Sequence, residues 1–240
     1  MSAVREVTGP EGAAALLTDA PAVVLRGHFS APECAAWSRA VRDAEADWTP
    51  AFGGEQYSLG RAFYTHLEED RTAAYFADPA GSDARVEHWL PGLQARLVAL
   101  VGTLTGGRSV RRRGWCGPGV HVFPPREKVA RKGGVHHFDT EGLGARHRDA
   151  RLRALTAVAM FEPAPEGGGL AVWDVLYGGA DHPSDEELAR ERHVVDYGVG
   201  DVVVIDSYRL HQIQPFTGGY RISATVHAAE TDRQTWECWF

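Results

Sequence analysis

Apolar residues recur along the chain with two different periods. Ala22-Val23-Val24-Leu25 is a short apolar run closed by Arg26-Gly27, which predicts a buried strand. Ser30-Ala31-Pro32-Glu33 follows with an S-x-x-E capping box, and its proline sits in the first turn, where a missing N–H leaves no helical bond unmade. Trp37, Ala40, Val41 and Ala44 then share one helical face, so the spacing predicts an amphipathic helix over 31–47. Tyr57, Arg61, Phe63 and Tyr64 lie in a loop-rich stretch over 49–65. Val86, Leu90, Leu93, Leu97, Leu100 and Val101 restore the helical period over 84–104, with Pro91 as a kink and Gly106-Gly107 as the stop. Beyond residue 110 the period shortens to two. Strand-like pieces fall at 119–123, 133–139, 154–161, 170–176, 193–197, 201–206 and 220–229, separated by Gly/Pro turns such as Pro163–Gly169. Ser184-Asp185-Glu186-Glu187-Leu188 reads as one capped helical turn between strands.

Several short strands at this spacing predict a sandwich or jelly roll, a mainly β fold with flanking N-terminal helices. The 240 residues suit a single domain, with 1–108 a mostly helical support and 109–240 the β core. A formal net charge of −7 argues against nucleic acid as a partner, because phosphate binding needs a basic face. Cys34, Cys116 and Cys238 lie far apart with no CxxC pair, so they outline neither a disulfide framework nor a thiolate zinc site. The start, Met1 to Val7, lacks the apolar core of a signal peptide, and no apolar run reaches membrane-spanning length. The expected location is the cytoplasm. Oligomeric state is not legible.

Eleven histidines raise the question of a metal. His-x-Asp occurs twice, and context separates the two. His147-Arg148-Asp149 lies in a dense charge run that reads as a solvated loop. His137-Phe138-Asp139 lies in a strand-like segment after Gly133-Gly134-Val135, where the two-residue period puts His137 and Asp139 on one face and Phe138 on the other. An imidazole and a carboxylate side by side can chelate one cation. His211, following the apolar run Val202–Ile205, is the best third ligand, and His136 is the competitor of His137. Arg221 and Ser223 share one face of the last strong strand, and a guanidinium beside a hydroxyl can hold a carboxylate. Taken singly, each of these has a bland alternative: a surface ion pair for Arg221, a solvent-facing hydroxyl for Ser223.

Their order along the chain resembles that of the Fe(II)/2-oxoglutarate-dependent oxygenases, in the prolyl-hydroxylase-like branch. Pro165-Glu166-Gly167-Gly168-Gly169-Leu170 is similar to the turn between that branch's core strands. Gly200-Asp201, His211, Pro215, Gly219 and Arg221 are similar to its "GD…H…P…G-x-R" segment, and Ala22 to Cys34 to its first strand and helix start. The resemblance implies a double-stranded β-helix (jelly roll, cupin-like) with Fe(II), 2-oxoglutarate and O2 as cofactor and co-substrates. It places His137, Asp139 and His211 as metal ligands and Arg221 with Ser223 on the distal oxoglutarate carboxylate, with His121 as the choice for a second oxoglutarate contact. The basic stretch 124–132 departs from the branch. Related radical halogenases carry a small residue where this chain has Asp139, so hydroxylation, desaturation or cyclisation is implied instead.

The substrate is the part the residues define least. Trp173, Asp174 and Tyr177 would form an indole wall with a carboxylate, suited to a cationic or amine-bearing small molecule, if their strand lines the barrel. The alternative is Trp173 in the core and Asp174 in solvent. Arg126, Lys128, Arg131 and Lys132 would instead draw an anion to the mouth. A small metabolite, in bacterial specialised metabolism, is the expected substrate. A cupin-like metal enzyme or zinc hydrolase, and a non-catalytic jelly-roll binding module, are the competing readings.

Overall fold

Runs of Val, Ile and Ala form the framework, which a computed structural model describes for residues 3–231 and 234–240; Met1 and Ser2 of the N-terminal reading lie outside the described residues. In chain order the elements begin with β1 (Arg5–Val7), β2 (Val23–Leu25), α1 (Ala31–Asp43), β3 (Thr49–Ala51), β4 (Gln56–Leu59) and α2 (Phe63–Glu68). Next come α3 (Thr72–Ala77), α4 (Pro79–Trp89), α5 (Leu93–Thr105), β5 (Arg108–Arg111), β6 (Gly119–Phe123), α6 (Lys128–Lys132) and α7 (Ala145–Asp149). The rest are β7 (Ala154–Glu162), β8 (Glu166–Gly167), β9 (Leu170–Leu176), α8 (Asp185–Leu188), β10 (Arg192–Val195), β11 (Val202–Asp206), β12 (Arg209–Ile213), β13 (Phe216–Thr217), β14 (Arg221–Glu230) and β15 (Thr235–Trp239).

The main sheet runs β1-β2-β11-β7-β14-β6-β4-β3, with β15 on the far half of β14 and β5 beside it. A smaller sheet, β10-β9-β12, and the short pair β13-β8 complete the β structure. The pleat of β14 explains how one strand serves both a core and a site. Ile222, Ala224, Val226 and Ala228 point into the core that includes Leu93, Leu97, Leu100 and Val101 of α5. Arg221, Ser223, Thr225 and His227 point the other way, into a cavity. Neighbouring β6 and β7 obey the same rule, with Val120, Val122, Ala157 and Ala159 in the core and His121, Phe123, Thr156 and Val158 in the cavity. Each fully buried leucine of α5 contributes roughly 1.5–3 kcal/mol, which fixes the sheet's outward face and hence the inward one.

Several expectations meet their elements closely. The Ser30 capping box forms as read, with Ser30 Oγ accepting from the Glu33 N–H, and α1 ends at Asp43. The 84–104 pattern is two helices rather than one kinked helix. Pro91 ends the first, and Gly92 at φ 77° supplies a left-handed turn that a side chain would strain. The 49–65 stretch is more ordered than a loop: Thr49↔Ser58 pairing makes β3-β4 a hairpin on the sheet edge. Four short strands from the first hundred residues therefore extend the sheet beside the helices that make up most of this half. The 133–139 segment is not a strand. It follows β12 through separated bonds, Gly134 N to Ile213 O and Asp139 N to Ser207 O, with one true bridge at His137↔His211. His147 belongs to the single turn α7, and its ring bonds the Glu230 carbonyl at 3.0 Å. No helix among the described residues is long and apolar enough to cross a membrane.

Candidate metal and carboxylate site

A cavity of about 360 Å³ opens between the two larger sheets. At its centre one ligand atom each from His137, Asp139 and His211 lies within 4.8 Å of the others. The His137↔His211 bridge sets this spacing, since its two backbone bonds (3.1 and 3.0 Å) bring the rings to a centroid distance of 4.2 Å. Each ring is also held in one tautomer. His137 Nδ1 donates to the Val135 carbonyl and His211 Nδ1 to the Arg209 carbonyl, both at 2.9 Å. Their Nε2 atoms both face Asp139 at 3.5 Å and become acceptors once unprotonated. Carbonyls behind the imidazoles are the usual outer support of a metal-binding histidine. Two neutral Nε2 atoms and one carboxylate on one side of a common point suit a divalent first-row ion, iron above all, with open positions opposite.

Electrostatics tie the three together. Burial pushes the Asp139 carboxyl up, but His211, His227 and His137 outweigh it and hold the group well below the usual range. Burial opposes protonation of His137, yet Asp139 beside it raises the ring to about 9. His211, more deeply enclosed, is lowered to about 4, chiefly by burial.

Arg221 lies in the same cavity at 2% exposure. Its Nε donates to the Gly168 carbonyl at 3.0 Å and Nη1 to Ser223 Oγ at 3.1 Å. Phe123 and Tyr197 stack against it at 5.5 and 5.2 Å. No carboxylate of the described residues pairs with it. A buried guanidinium without an anion is costly, so this end of the cavity is built to receive one. The glycine turn read from the sequence is what allows the carbonyl contact: Gly167 has φ 75°, and a Cβ there would meet the Pro215 oxygen at 2.2 Å. His121 stands opposite Ser223 on β6, lowered to about 3 by burial and therefore neutral, with Nδ1 unpartnered.

Trp173, Asp174, Tyr177 and Arg126 do not line the cavity. Trp173 is 2% exposed in a second core, donating Nε1–H to the Leu188 carbonyl at 3.2 Å, with His136 edge-on at 5.2 Å. Asp174 is exposed and paired with Arg209 at 3.0 Å. Tyr177 packs on Phe138, and its hydroxyl donates to Asp181 at 3.2 Å. Arg126 is an exposed turn residue at φ 73°. Trp173 and Tyr177 thus sit with Ala171 and Val175 on the face of β9 turned away from the cavity, whereas Asp174 shares the face of the cavity-lining Leu170 but lies beyond the cavity, where Arg209 engages it.

Residues not singled out take their place. Tyr197, its phenol pushed up to about 12 by burial, reaches Arg221 from the loop before β11. That loop is pinned by Asp201, which accepts from the N–H groups of Gly27 (2.8 Å) and Gly198 (2.7 Å). His227 lies 3.9 Å from Asp139, its Nδ1 3.0 Å from Thr156 Oγ1. It was findable, since it continues the 221, 223, 225 alternation. Phe52, Tyr64, Glu68 and Glu141 complete the mouth. Burial, with Asp139 adding, raises Glu141 to about 7.

No family model matches the sequence. Among solved structures, an N-substituted L-amino acid dioxygenase from Burkholderia ambifaria, in complex with α-ketoglutarate, superposes with a TM-score of 0.59 at 16% identity, over 95% of this chain and 90% of that one. The non-haem α-ketoglutarate-dependent carbocyclase SnoK from nogalamycin biosynthesis gives 0.59 at 16% identity, over 90% and 82%. The epimerase SnoN, in complex with Fe3+, α-ketoglutarate and nogalamycin RO, gives 0.53 at 18% identity, over 90% and 81%. The chain has the double-stranded β-helix fold of these α-ketoglutarate-dependent non-haem iron enzymes.

Proposed function

We propose that the chain is an Fe(II)- and 2-oxoglutarate-dependent oxygenase that oxidises, most simply by hydroxylation, a C–H bond of a small metabolite, in bacterial specialised metabolism. The observation that carries this reading is the buried Arg221, paired with no carboxylate of the described residues, in the cavity that also holds the His137–Asp139–His211 cluster. Activating water on a metal does not itself call for such a guanidinium, whereas a 2-oxo dicarboxylate does. His137, Asp139 and His211 would hold the iron. Arg221, Ser223 and the Tyr197 hydroxyl would hold the distal carboxylate of oxoglutarate, with His121 closing the side opposite Ser223.

Iron and oxoglutarate bound there supply oxidative decarboxylation: oxoglutarate, O2 and substrate become succinate, CO2 and oxidised product. The chain's own residues orient and enclose. Val158, Leu170, Ile205 and Ile213 line the cavity without a polar group and exclude water from its centre. Asp139 neutralises one positive charge of the ion, and the two Nδ1–carbonyl bonds prevent the rings from turning away. Two of the fold neighbours act in nogalamycin biosynthesis and one on N-substituted L-amino acids, which accords with a small-molecule substrate.

The test is succinate formation from 2-oxoglutarate in aerobic buffer with added Fe(II). Iron-dependent succinate from the native chain, absent in Asp139→Ala, supports the proposal. Equal background in both proteins would overturn it.

A further inference from the structure

Oxoglutarate spanning from Arg221 to the cluster would leave the mouth of the cavity unfilled. That part is walled by Phe52 and Tyr64, whose rings lie 6.5 Å apart, and by Gln56, Glu68, Val135 and Glu141. Its charges are unbalanced. Glu55 at the rim is matched by Lys128 at 3.4 Å. Neither Glu68, exposed on α2, nor the half-buried Glu141 has an ion pair among the described residues. Glu68, Glu141 and Tyr64 all line this same cavity.

Loading the centre does not repair this. A divalent iron, the Asp139 carboxylate, an oxoglutarate dianion and the Arg221 guanidinium together carry no net charge, so the two glutamates stay uncompensated. A carboxylate withdrawn from water without a cation is unfavourable, and an anionic substrate would add repulsion. A second polar group also lacks a partner: His121, only 7% exposed, lines the same cavity beside Tyr64 with Nδ1 unbonded. Of the basic residues between 126 and 132, only Lys128 lines the cavity, and Glu55 engages it.

We propose, resting on the oxygenase reading, that the substrate is a small amine bound as its ammonium ion against Glu141, with Glu68 attracting it at the rim and Phe52 and Tyr64 packing its carbon skeleton. The neutral imidazole of His121 offers the amine or a neighbouring hydroxyl one further hydrogen bond. Size agrees, since a cavity of about 360 Å³ is at the small end of ligand pockets, roughly 300–1,000 Å³, and oxoglutarate takes part of it.

The experiment is ligand-observed NMR at pH 8 on protein loaded with Zn(II), which supports no turnover, and 2-oxoglutarate. Three probes of one shape are compared: hexylamine, hexan-1-ol and hexanoate. Hexylamine should bind at least about tenfold more tightly than hexan-1-ol, the scale of one charge-assisted hydrogen bond. Glu141→Gln should lower hexylamine affinity by about tenfold and leave hexan-1-ol and oxoglutarate affinities within about twofold. Equal binding of amine and alcohol, tighter binding of hexanoate, or an unchanged amine affinity in Glu141→Gln would each overturn the proposal. Loss of oxoglutarate affinity in Glu141→Gln would overturn it too, by placing that side chain in the co-substrate site. Failure of the native protein to bind oxoglutarate with the metal would instead overturn the oxygenase reading on which it rests.

Discussion

Replacing Arg221 by Met separates a ligand-binding charge from a structural one. The side chain is 2% exposed and donates two hydrogen bonds to neutral acceptors, the Gly168 carbonyl and Ser223 Oγ. Met keeps most of the volume between Phe123 and Tyr197 and removes the charge. In the ligand-free protein the loss of a buried, unpaired guanidinium offsets the loss of those two bonds, so Tm should change little or rise. Oxoglutarate binding should respond very differently. Removing one partner of a buried charged pair costs about 2–5 kcal/mol, which is roughly 30-fold to 4,000-fold in Kd. Arg221→Lys keeps the charge without the planar fork and should fall between. Calorimetric titration of oxoglutarate into Mn(II)-loaded protein reads the Kd directly. Thermal melts give a second reading, because a ligand at a hundred times its Kd adds about 2.7 kcal/mol to the folded state, and this increment should vanish in Arg221→Met. An unchanged oxoglutarate Kd with metal binding intact would refute the carboxylate assignment. A collapse of the ligand-free fold would show that Arg221 is structural.

His137→Ala, Asp139→Ala and His211→Ala should each weaken Co(II) binding by more than about 100-fold, beyond the effect usual for outer-support residues, whereas His136→Ala and His147→Ala should retain it; calorimetry checks both groups, and loss in His136→Ala alone would shift the ligand face by one residue. Metal must displace the proton that Asp139 holds on His137, whose ring is raised to about 9, so Co(II) affinity should climb as pH rises from 6 toward 9; a flat profile would contradict a neutral His137 ligand. Turnover in saturating chloride or bromide should give no halogenated product by mass spectrometry, because Asp139 fills the position a halide would need; a halogenated product would remove Asp139 from the ligand set.

The elements most legible in the sequence are those whose two faces differ. On β14 the alternation of Arg221, Ser223, Thr225 and His227 with Ile222, Ala224 and Val226 assigns each side chain to the cavity or the core. His137-Phe138-Asp139 was readable for the same reason, although its backbone makes a bridge rather than a strand. β9 fails the same test. Leu170-Ala171-Val172-Trp173 is apolar on both faces, so nothing local says which side meets the cavity; the sequence leaves Trp173 either in the cavity wall or in the core, and it packs in the core. β12 (Arg209–Ile213) was not expected as a strand at all, because Arg209 and His211 read as polar until Asp174 and Asp139 are seen beside them. Tyr197 reaches Arg221 only through the loop that Asp201 pins, a long-range arrangement that no periodicity encodes. The same holds for the mouth, where Tyr64 and Glu141 come from segments far apart in the chain.

Anaerobic titration of 2-oxoglutarate into Fe(II)-loaded protein, followed by visible absorption, tests most directly whether one cavity holds both groups. A 2-oxo acid chelating Fe(II) through its keto and carboxylate oxygens gives a charge-transfer band that neither component shows alone. The expected result is a saturable band of one oxoglutarate per iron in the native chain, absent in His137→Ala and reached only at far higher oxoglutarate in Arg221→Met. A native chain that binds Fe(II) yet develops no such band, or a band that saturates identically in Arg221→Met, would contradict the account.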